Sequence, residues 1–500
     1  MDQSTLLRIQ TERGTRTAGN KADQKSLEAV INDCRKVIED KSAIYRDLDA
    51  LEKRDAIKQI IVQYVIDTKP LVDGYFDSDN VPDTLKLTNK LTEEITDYGI
   101  LTSAILDETI FEIRGNGKEI KVERQGKIED LRDIDGNIVS FDTPEQQEII
   151  MHKMLGDVRL TPKNALVSGS TLEGYRIAAV HSSATSPDPN NPTAPKFHSF
   201  VLRKFNKTKM KLADIVKKNT MSDNMARFLA LLPAGGLTFF TVGPTSSGKT
   251  TTNNAILQAV PATTRTVLIQ NPSEIDLRFK NESGRVYNDV LHLEAREFDN
   301  PSPTDPTMQN LMDITLRLSP TFLCLGEIRS NVEFCSAVKI GNAGHAFNTT
   351  FHAGSAEGAI SRFITAYLSA SNEPSELALR TLVNMVDVII VQKIMRDGKR
   401  RIIQISEVIG VDPNNSNKPL LNDLYKFDVD GEPEYDEAGN VKKINGHHRR
   451  VGKISDKLKE KFKLEGVAHS RYSFLEKPLS NTEVETYTGQ DIDHYGMDVV

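Results

Sequence analysis

Gly243-Pro244-Thr245-Ser246-Ser247-Gly248-Lys249-Thr250 decides how the rest of this 500-residue chain is read. It fits G-x-x-x-x-G-K-[ST], a turn whose glycines let the backbone curl until successive N–H groups point inward. Upstream, Leu237-Thr-Phe-Phe-Thr-Val242 is short, apolar and rich in β-formers; downstream, Thr251 to Ala259 has the pattern of the first turns of a helix. Strand, loop and helix together make the context in which such a loop cradles phosphate oxygens, the helix N-terminus adding its positive end. Lys249 can reach the β- and γ-phosphates of a nucleoside triphosphate, and the Thr250 hydroxyl can ligate Mg²⁺. The run from Gly243 through Thr251 is therefore the expected nucleotide-binding segment, with ATP and Mg²⁺ as its ligands. A glycine-rich turn that merely carries a lysine would explain the motif, but not its flanks.

Composition narrows the class. Five hundred residues exceed one hydrophobic core, so two or more domains are expected. A formal net charge of −7 gives no bias toward polyanions and argues against direct nucleic-acid binding. Cys34, Cys324 and Cys335 contain no C-x-x-C pair, so neither a zinc ribbon nor a disulfide framework is supported, and Cys324 reads as a reduced core thiol. Met1 to Lys25 is polar, without the apolar stretch of a signal peptide. The uncharged run from Phe228 to Gly248 contains Pro233, Gly235 and Gly236 and ends inside the phosphate loop, so it reads as core rather than as a membrane span.

Charged residues alternate with Leu, Ile and Val at helical spacing from Ala22 to about Tyr64, which suggests a helical hairpin or small bundle; a solvated charged arm is the alternative. Helical pattern continues over Thr84 to Ile100. Two alternating runs, Glu108–Arg114 and Lys118–Arg124, flank Gly115-Asn-Gly117 and predict a β-hairpin. Pro144 to Met154 reads as a helix, Thr171 to Val180 and Phe197 to Phe205 as strands, and Ser182 to Lys196, with four prolines, as a loop. A compact α/β domain is expected over about Lys209 to Asp428. Beyond it the chain is polar, with an amphipathic helix at Ser455 to Phe462 and a tail after Pro478 that reads as disordered.

Three further constellations lie downstream of the loop. Thr321-Phe-Leu-Cys-Leu325 is an apolar strand ending in Gly326-Glu327-Ile328-Arg329; a carboxylate there can hold water or Mg²⁺, and Arg329 can supply positive charge near a γ-phosphate. Gly344-His345 and His352 bracket the β-rich Asn348-Thr-Thr-Phe351. No closely spaced Cys, Asp or Glu completes a ligand set there, so the pair reads better as phosphate-sensing than as zinc-binding. Arg265-Thr-Val-Leu-Ile269 is a strand leading into Gln270-Asn271-Pro-Ser-Glu274.

In chain order these motifs resemble the secretion ATPase superfamily, the motors of type II and type IV secretion and of type IV pili. The likeness is closest to the CpaF/TadA branch of Tad pili and to the VirB-type conjugation ATPases. Gly326-Glu327-Ile-Arg329 matches their Walker B strand, and Gly344-His345…Thr350-Phe-His352-Ala353 their His box, with Arg362 following. Phe200-Val-Leu-Arg203 and Val122-Glu-Arg124-Gln-Gly126-Lys resemble strands of their N-terminal domain, and Arg396-Asp-Gly-Lys-Arg400-Arg the end of the motor domain, so the likeness covers roughly Leu101 to Val408. It implies an α/β fold: a RecA-like P-loop motor domain with a parallel-type sheet over 206–428, an N-terminal α/β domain over 66–205, a helical extension over 1–65, and a C-terminal extension with a polar tail over 429–500. It implies that ATP sits against the N-terminal domain, with Arg203 and Arg176 inserting from that side and His345 and His352 coupling the γ-phosphate to the fold. It implies a homo-oligomeric ring of six, partner platform proteins of the inner membrane, and a cytoplasmic location peripheral to the membrane.

One departure matters. The acidic box of these motors carries Glu-Asp where this chain has Gln270-Asn271, with Glu274 kept. An amide orients water but cannot take its proton, so either Glu327 or Glu274 does that work or hydrolysis is slow. Restoring the carboxylate by Gln270→Glu is expected to raise the rate. Two alternatives stay open: a nucleotide-binding assembly subunit with little turnover, and a DNA-translocating P-loop ATPase.

Overall fold

The computed structural model describes residues 25–492 apart from 46–49, 77–80, 125–126, 157, 172, 187–190, 192, 205–209, 272–274, 296–301, 303, 372, 478–484 and 491. The chain divides into two compact units, Met1–Thr208 and Lys209–Val500.

The first unit opens with helices. Ser26 caps Leu27–Asp40 by accepting the Ala29 N–H at 3.2 Å, and Val30, Cys34 and Ile38, spaced by four, form its buried stripe. That stripe packs with Ile57, Ile61, Leu87 and Leu91 of the helices Ala50–Thr68 and Thr84–Thr96, giving the bundle a core of its own. Six antiparallel strands follow: β1 (Ile110–Asn116), β2 (Glu119–Arg124), β3 (Lys127–Asp130), β4 (Leu166–Ser170), β5 (Arg176–Val180) and β6 (Ser199–Arg203), in the order β3-β2-β1-β6-β5-β4. The helix Pro144–Leu155, capped by Thr143, supplies Ile150, Met151 and Met154 to the core over this sheet.

Two expectations shift. The hairpin turn is Gly117-Lys118 rather than Gly115-Asn-Gly117: Gly115 stays in the ladder opposite Ile120, with the Phe200 ring in the space a Cβ would need. The strand expected over Thr171–Val180 starts only at Arg176. Before it, Thr171 N–H donates to Tyr175 O (2.8 Å), Gly174 is left-handed at φ +82°, and Leu166–Ser170 pairs with β5 as β4.

The second unit is a nine-stranded sheet. Its strands are β7 (Phe239–Val242), β8 (Thr266–Gln270), β9 (Val290–Glu294), β10 (Phe322–Glu327), β11 (Ala346–Phe351), β12 (Val388–Ile394), β13 (Arg400–Asp412), β14 (Asn415–Val429) and β17 (Gly446–Arg450); β15 (Glu434–Tyr435) and β16 (Val441–Lys443) form a separate ribbon. The order is β17-β14-β13-β12-β7-β11-β10-β8-β9, with β12 through β9 parallel and β13, β14 and β17 added antiparallel. Parallel strands buried on both faces read as near-continuous apolar runs. Alternate residues divide between the two faces: Phe239, Leu268, Phe322 and Ile390 enter one core, and Phe240, Ile269, Leu323 and Val391 the other. Helices cover both. Among the described residues no helix is long and apolar enough to cross a membrane.

Residues 429–500, expected as a separate extension, belong to this unit. β17 pairs with β14, and the helix Asp456–Leu464 buries Leu458 and Phe462 in the first core. Lys461 of that helix bonds both oxygens of the buried Asp387 carboxylate at 2.7 and 2.8 Å. The tail expected as disordered after Pro478 is partly placed. Asp223 accepts from Thr486 Oγ1 (2.5 Å), Thr488 N and Oγ1 (both 3.0 Å) and Gly489 N (2.8 Å), so one buried carboxylate takes four hydrogen bonds from three residues of this segment.

Candidate active site

The parallel strands all end on one side of the sheet, where open α/β folds bind ligands. There β7 runs into Gly243, between β11 on one side and β12 on the other. A Cβ on Gly243 would lie 2.0 Å from the Gln392 carbonyl oxygen of β12, so only glycine fits. Gly248, left-handed at φ +89°, is the N-cap of the helix Lys249–Leu257. The loop thus ends by aiming a helix N-terminus, with Thr250 and Thr251 in its first turn, at the space it encloses. Asn253 fixes the helix against the sheet: its Oδ1 accepts from Asn348 Nδ2 of β11 at 2.7 Å and from Thr241 Oγ1 of β7 at 3.4 Å.

Lys249 is buried, and its ammonium donates to the carbonyls of Gly243 (3.1 Å) and Pro244 (3.0 Å) and reaches His352 Nδ1 at 3.3 Å. His352 stands just beyond β11. Its Nε2 lies 3.3 Å from Glu327 Oε1, at the end of β10. His352 Nδ1 also lies 3.2 Å from Gly243 O, so it accepts from Lys249 or donates to that carbonyl according to the tautomer, while Nε2 faces Glu327. The register of β10 on β11 slips between Leu325 and Glu327, an irregularity that re-aims the Glu327 side chain at the strand end. Glu327 Oε2 accepts from Arg329 Nη2 (2.7 Å) and Nε (3.1 Å). Burial pushes the Glu327 carboxyl up, but the Arg329 hydrogen bonds and charge, with His352 and Lys249, outweigh it and hold the group below the usual carboxylate range. Arg329 is itself fixed where its backbone N–H meets Glu333 Oε2 at 2.6 Å, next to the Ser330–Glu333 capping box of the helix Asn331–Asn342.

Lys249, His352, Glu327 and Arg329 are therefore one contiguous set, and Ser246, Ser247 and Thr250 share its loop. Other expected residues fall elsewhere. His345 precedes β11 and His352 follows it; six strand residues rising about 3.3 Å each put the two near opposite edges of the sheet, roughly 20 Å apart, so His345 does not reach the phosphate loop. Arg362 is exposed on the helix Ala356–Leu368. Gln270 is buried at the end of β8 and bonds the backbone of Ile275: its Nε2 donates to Ile275 O (2.8 Å) and its Oε1 accepts from Ile275 N (2.7 Å). Glu274 lies outside the described residues. Arg176 and Arg203 belong to the first unit, directly opposite one another on β5 and β6, and Arg203 Nη2 meets the buried Glu112 carboxylate at 3.2 Å.

Sequence reasoning missed Arg400, whose Nε donates to Ser246 O at 3.0 Å across 154 positions of chain. Its signals were a basic cluster after a strand and a likeness to the end of the motor domain, neither of which assigns it a partner. Mg²⁺ fits the donor chemistry through the Thr250 hydroxyl and phosphate oxygens. Glu327, already committed to Arg329 and His352, suits holding a water better than direct ligation.

A parallel sheet with a phosphate-binding loop at its carboxyl edge, backed by a lysine, a carboxylate and an arginine, defines a P-loop nucleotide-binding protein. Residues 94–422 match the model of the Type II/IV secretion system protein family, and the chain belongs to that family. It is 28% identical over 249 residues to an uncharacterized protein of Methanocaldococcus jannaschii, covering 49% of this chain and 41% of that one. It is 33% identical over 181 residues to the type IV secretion system protein VirB11 of Brucella suis biovar 1, covering 34% of this chain and 46% of the relative. The chain thus spans less than half the length of these relatives. Among solved structures it is similar to the ATPase DotB of Yersinia pseudotuberculosis, at 17% identity and a TM-score of 0.43, covering 62% of this chain and 77% of that one.

Proposed function

We propose that this chain is a Mg²⁺-dependent ATPase, a motor that powers a type II/IV secretion, conjugation or Tad-type pilus machine. The observation that carries the proposal is the unbroken contact path from Lys249 through His352 to Glu327 and Arg329, spanning the ends of three adjacent strands beside the phosphate loop. Phosphoryl transfer to water asks for positioning and charge neutralisation more than for a strong base. Water attacks the γ-phosphorus, the bond to the β–γ bridging oxygen breaks, and ADP leaves with the electron pair. Mg²⁺ bound at Thr250 would neutralise charge on the phosphates. Lys249 exchanges its contacts with Gly243 O and Pro244 O for phosphate oxygens. Glu327, ionised at neutral pH, orients the water through a lone pair, and Arg329 and His352 keep its two oxygens in place. The attacking water's proton ends on the phosphate product.

Membership in the family, and the VirB11 likeness with it, supports a homo-oligomeric ring, a hexamer, working at the cytoplasmic face of a membrane on platform proteins of a secretion system. A second reading, an assembly subunit with little turnover, is favoured by the engagement of Gln270 with Ile275 and the ion pairing of Glu327. Steady-state phosphate release by the purified chain with Mg²⁺-ATP separates them: turnover that Lys249→Ala abolishes supports the motor, and nucleotide binding without turnover supports the second reading. Equal turnover in Lys249→Ala would remove both. Light scattering with an ATP analogue tests the ring, and a monomer would sink that part.

A further inference from the structure

We infer that Arg400 is a positioning residue of the phosphate loop, turning the Ser246–Ser247 peptide so that an amide faces the nucleotide; this rests on the ATPase reading. The sheet order is β13-β12-β7-β11-β10, so Arg400 on β13 approaches the loop from the side opposite Glu327 on β10.

Arg400 and Arg401 are neighbours on one strand and face opposite sides of it. Arg401 is locked inside: its guanidinium makes a bidentate pair with Asp397 at 2.9 and 2.8 Å, donates to Ile444 O at 3.0 Å and lies 5.1 Å from the Phe427 ring centre. Asp397 also accepts the Lys399 N–H at 3.1 Å, and Met395 and Lys399 close the turn by Met395 N–H to Lys399 O at 2.9 Å. The β12–β13 hairpin is therefore rigid where Arg400 leaves it. Arg400 then crosses to the loop, its Nε donating to Ser246 O at 3.0 Å and its Cδ lying 2.9 Å from where a Gly248 Cβ would sit.

Ser246 is left-handed at φ +61°, a conformation that a residue with a side chain holds only when its surroundings fix it. A charge-assisted hydrogen bond on its carbonyl supplies that restraint. In a trans peptide the C=O and the next N–H point in opposite directions. Drawing the Ser246 carbonyl toward Arg400 turns the Ser247 N–H into the curl of the loop, where its partner is Pro244 O at a long 3.4 Å. That weak bond is readily exchanged for a phosphate oxygen. Arg400 thus acts on the nucleotide through the loop it shapes.

The test is ATP hydrolysis and ADP affinity in Arg400→Ala, read beside melting without nucleotide. Loss of a hydrogen bond to a charged group predicts KM for ATP and Kd for ADP both rising about tenfold or more. The change is in uniform binding, so kcat should stay within about threefold. Arg400→Lys should recover part or all of the affinity, and the exposed neighbour Lys399→Ala should leave both constants unchanged. Should Arg400→Ala fail to fold, Arg400→Gln carries the same expectation. Wild-type KM and ADP affinity in the folded variant, or an equal loss in Lys399→Ala, would overturn the inference. Lys249→Ala separates the two levels: if it retains turnover the ATPase reading fails, whereas a dead Lys249→Ala beside an unaffected Arg400→Ala removes only this inference.

Discussion

Replacing Gln270 with glutamate sets two physical arguments against each other. Family resemblance says that the change restores a carboxylate to an acidic box and should speed hydrolysis. The side-chain geometry says otherwise. Gln270 is buried, and its amide nitrogen donates to Ile275 O at 2.8 Å while its oxygen accepts from Ile275 N at 2.7 Å. A glutamate keeps the second bond and turns the first into an oxygen facing an oxygen. Leaving such a buried group unsatisfied costs about 1–3 kcal/mol, and more when it is charged. At about 2–4 °C per kcal/mol this lowers the melting temperature by roughly 2–12 °C.

The pH dependence carries the sign. Only the protonated glutamate can donate to the Ile275 carbonyl, so its folded pKa is raised above the unfolded value of about 4.3. A raised pKa means that the variant is closest to wild type below the unfolded value and loses stability as pH climbs through the folded one. Thermal melts without nucleotide at pH 5 and pH 8 should therefore show the deficit growing with pH, and phosphate release at neutral pH should not exceed wild type. Faster hydrolysis with an unchanged melting temperature at pH 8 would refute the reasoning and return Gln270 to the catalytic position.

Glu327→Gln should lower turnover by about 10²-fold or more while sparing ADP affinity, since positioning by a carboxylate is lost but the loop is not; wild-type turnover would point to Glu274. His352→Ala should reduce turnover and His345→Ala should not, because β11 puts them near opposite edges of the sheet; equal effects in a phosphate-release assay would contradict that placement. Phe462→Ala should destabilise the second unit by about 3–5 kcal/mol in denaturant melts, the usual range for emptying an aromatic core site; a surface-like loss under about 0.5 kcal/mol would mean that the C-terminal helix is not part of the core.

What the sequence made legible is local. The strand, loop and helix around Lys249 are contiguous, and their apolar spacing and glycines carry their own conformational signal. Glu327 was legible for the same reason, as the last residue of an apolar run. The two histidines show where local reading needed one more step: a β-rich segment between them was visible, and a strand separates whatever brackets it. Gln270 was not legible, because its role depends on the backbone of Ile275, five positions on, coming within reach of its side chain. Arg400 lies 154 positions from its partner, and no pattern within β13 reveals which strand will lie beside which. The helix Asp456–Leu464 was found by its period, but its four lysines and polar face hid the depth to which Leu458 and Phe462 are buried.

The charge arrangement joins these pieces. Among the described residues, Lys249, Arg329 and Arg400 bring three cations to the loop and the strand ends beside it, where Glu327 supplies a carboxylate, in a chain whose formal net charge is −7. This clustering of cations is local to the strand ends, in contrast to the acidic chain as a whole. It is also asymmetric. On the β10 side the Glu327 charge is offset by Arg329 and linked to Lys249 through one imidazole; on the β13 side Arg400 meets a backbone carbonyl. A polyphosphate drawn to Lys249 competes directly with His352 for that ammonium, and any shift of His352 changes the contacts on Glu327 Oε1. On the proposed ATPase reading, a response to the terminal phosphate would run through His352 and Glu327 on β11 and β10, while Arg400 would keep the cradle's shape from β13. That reading assigns sensing and holding to opposite sides of β7.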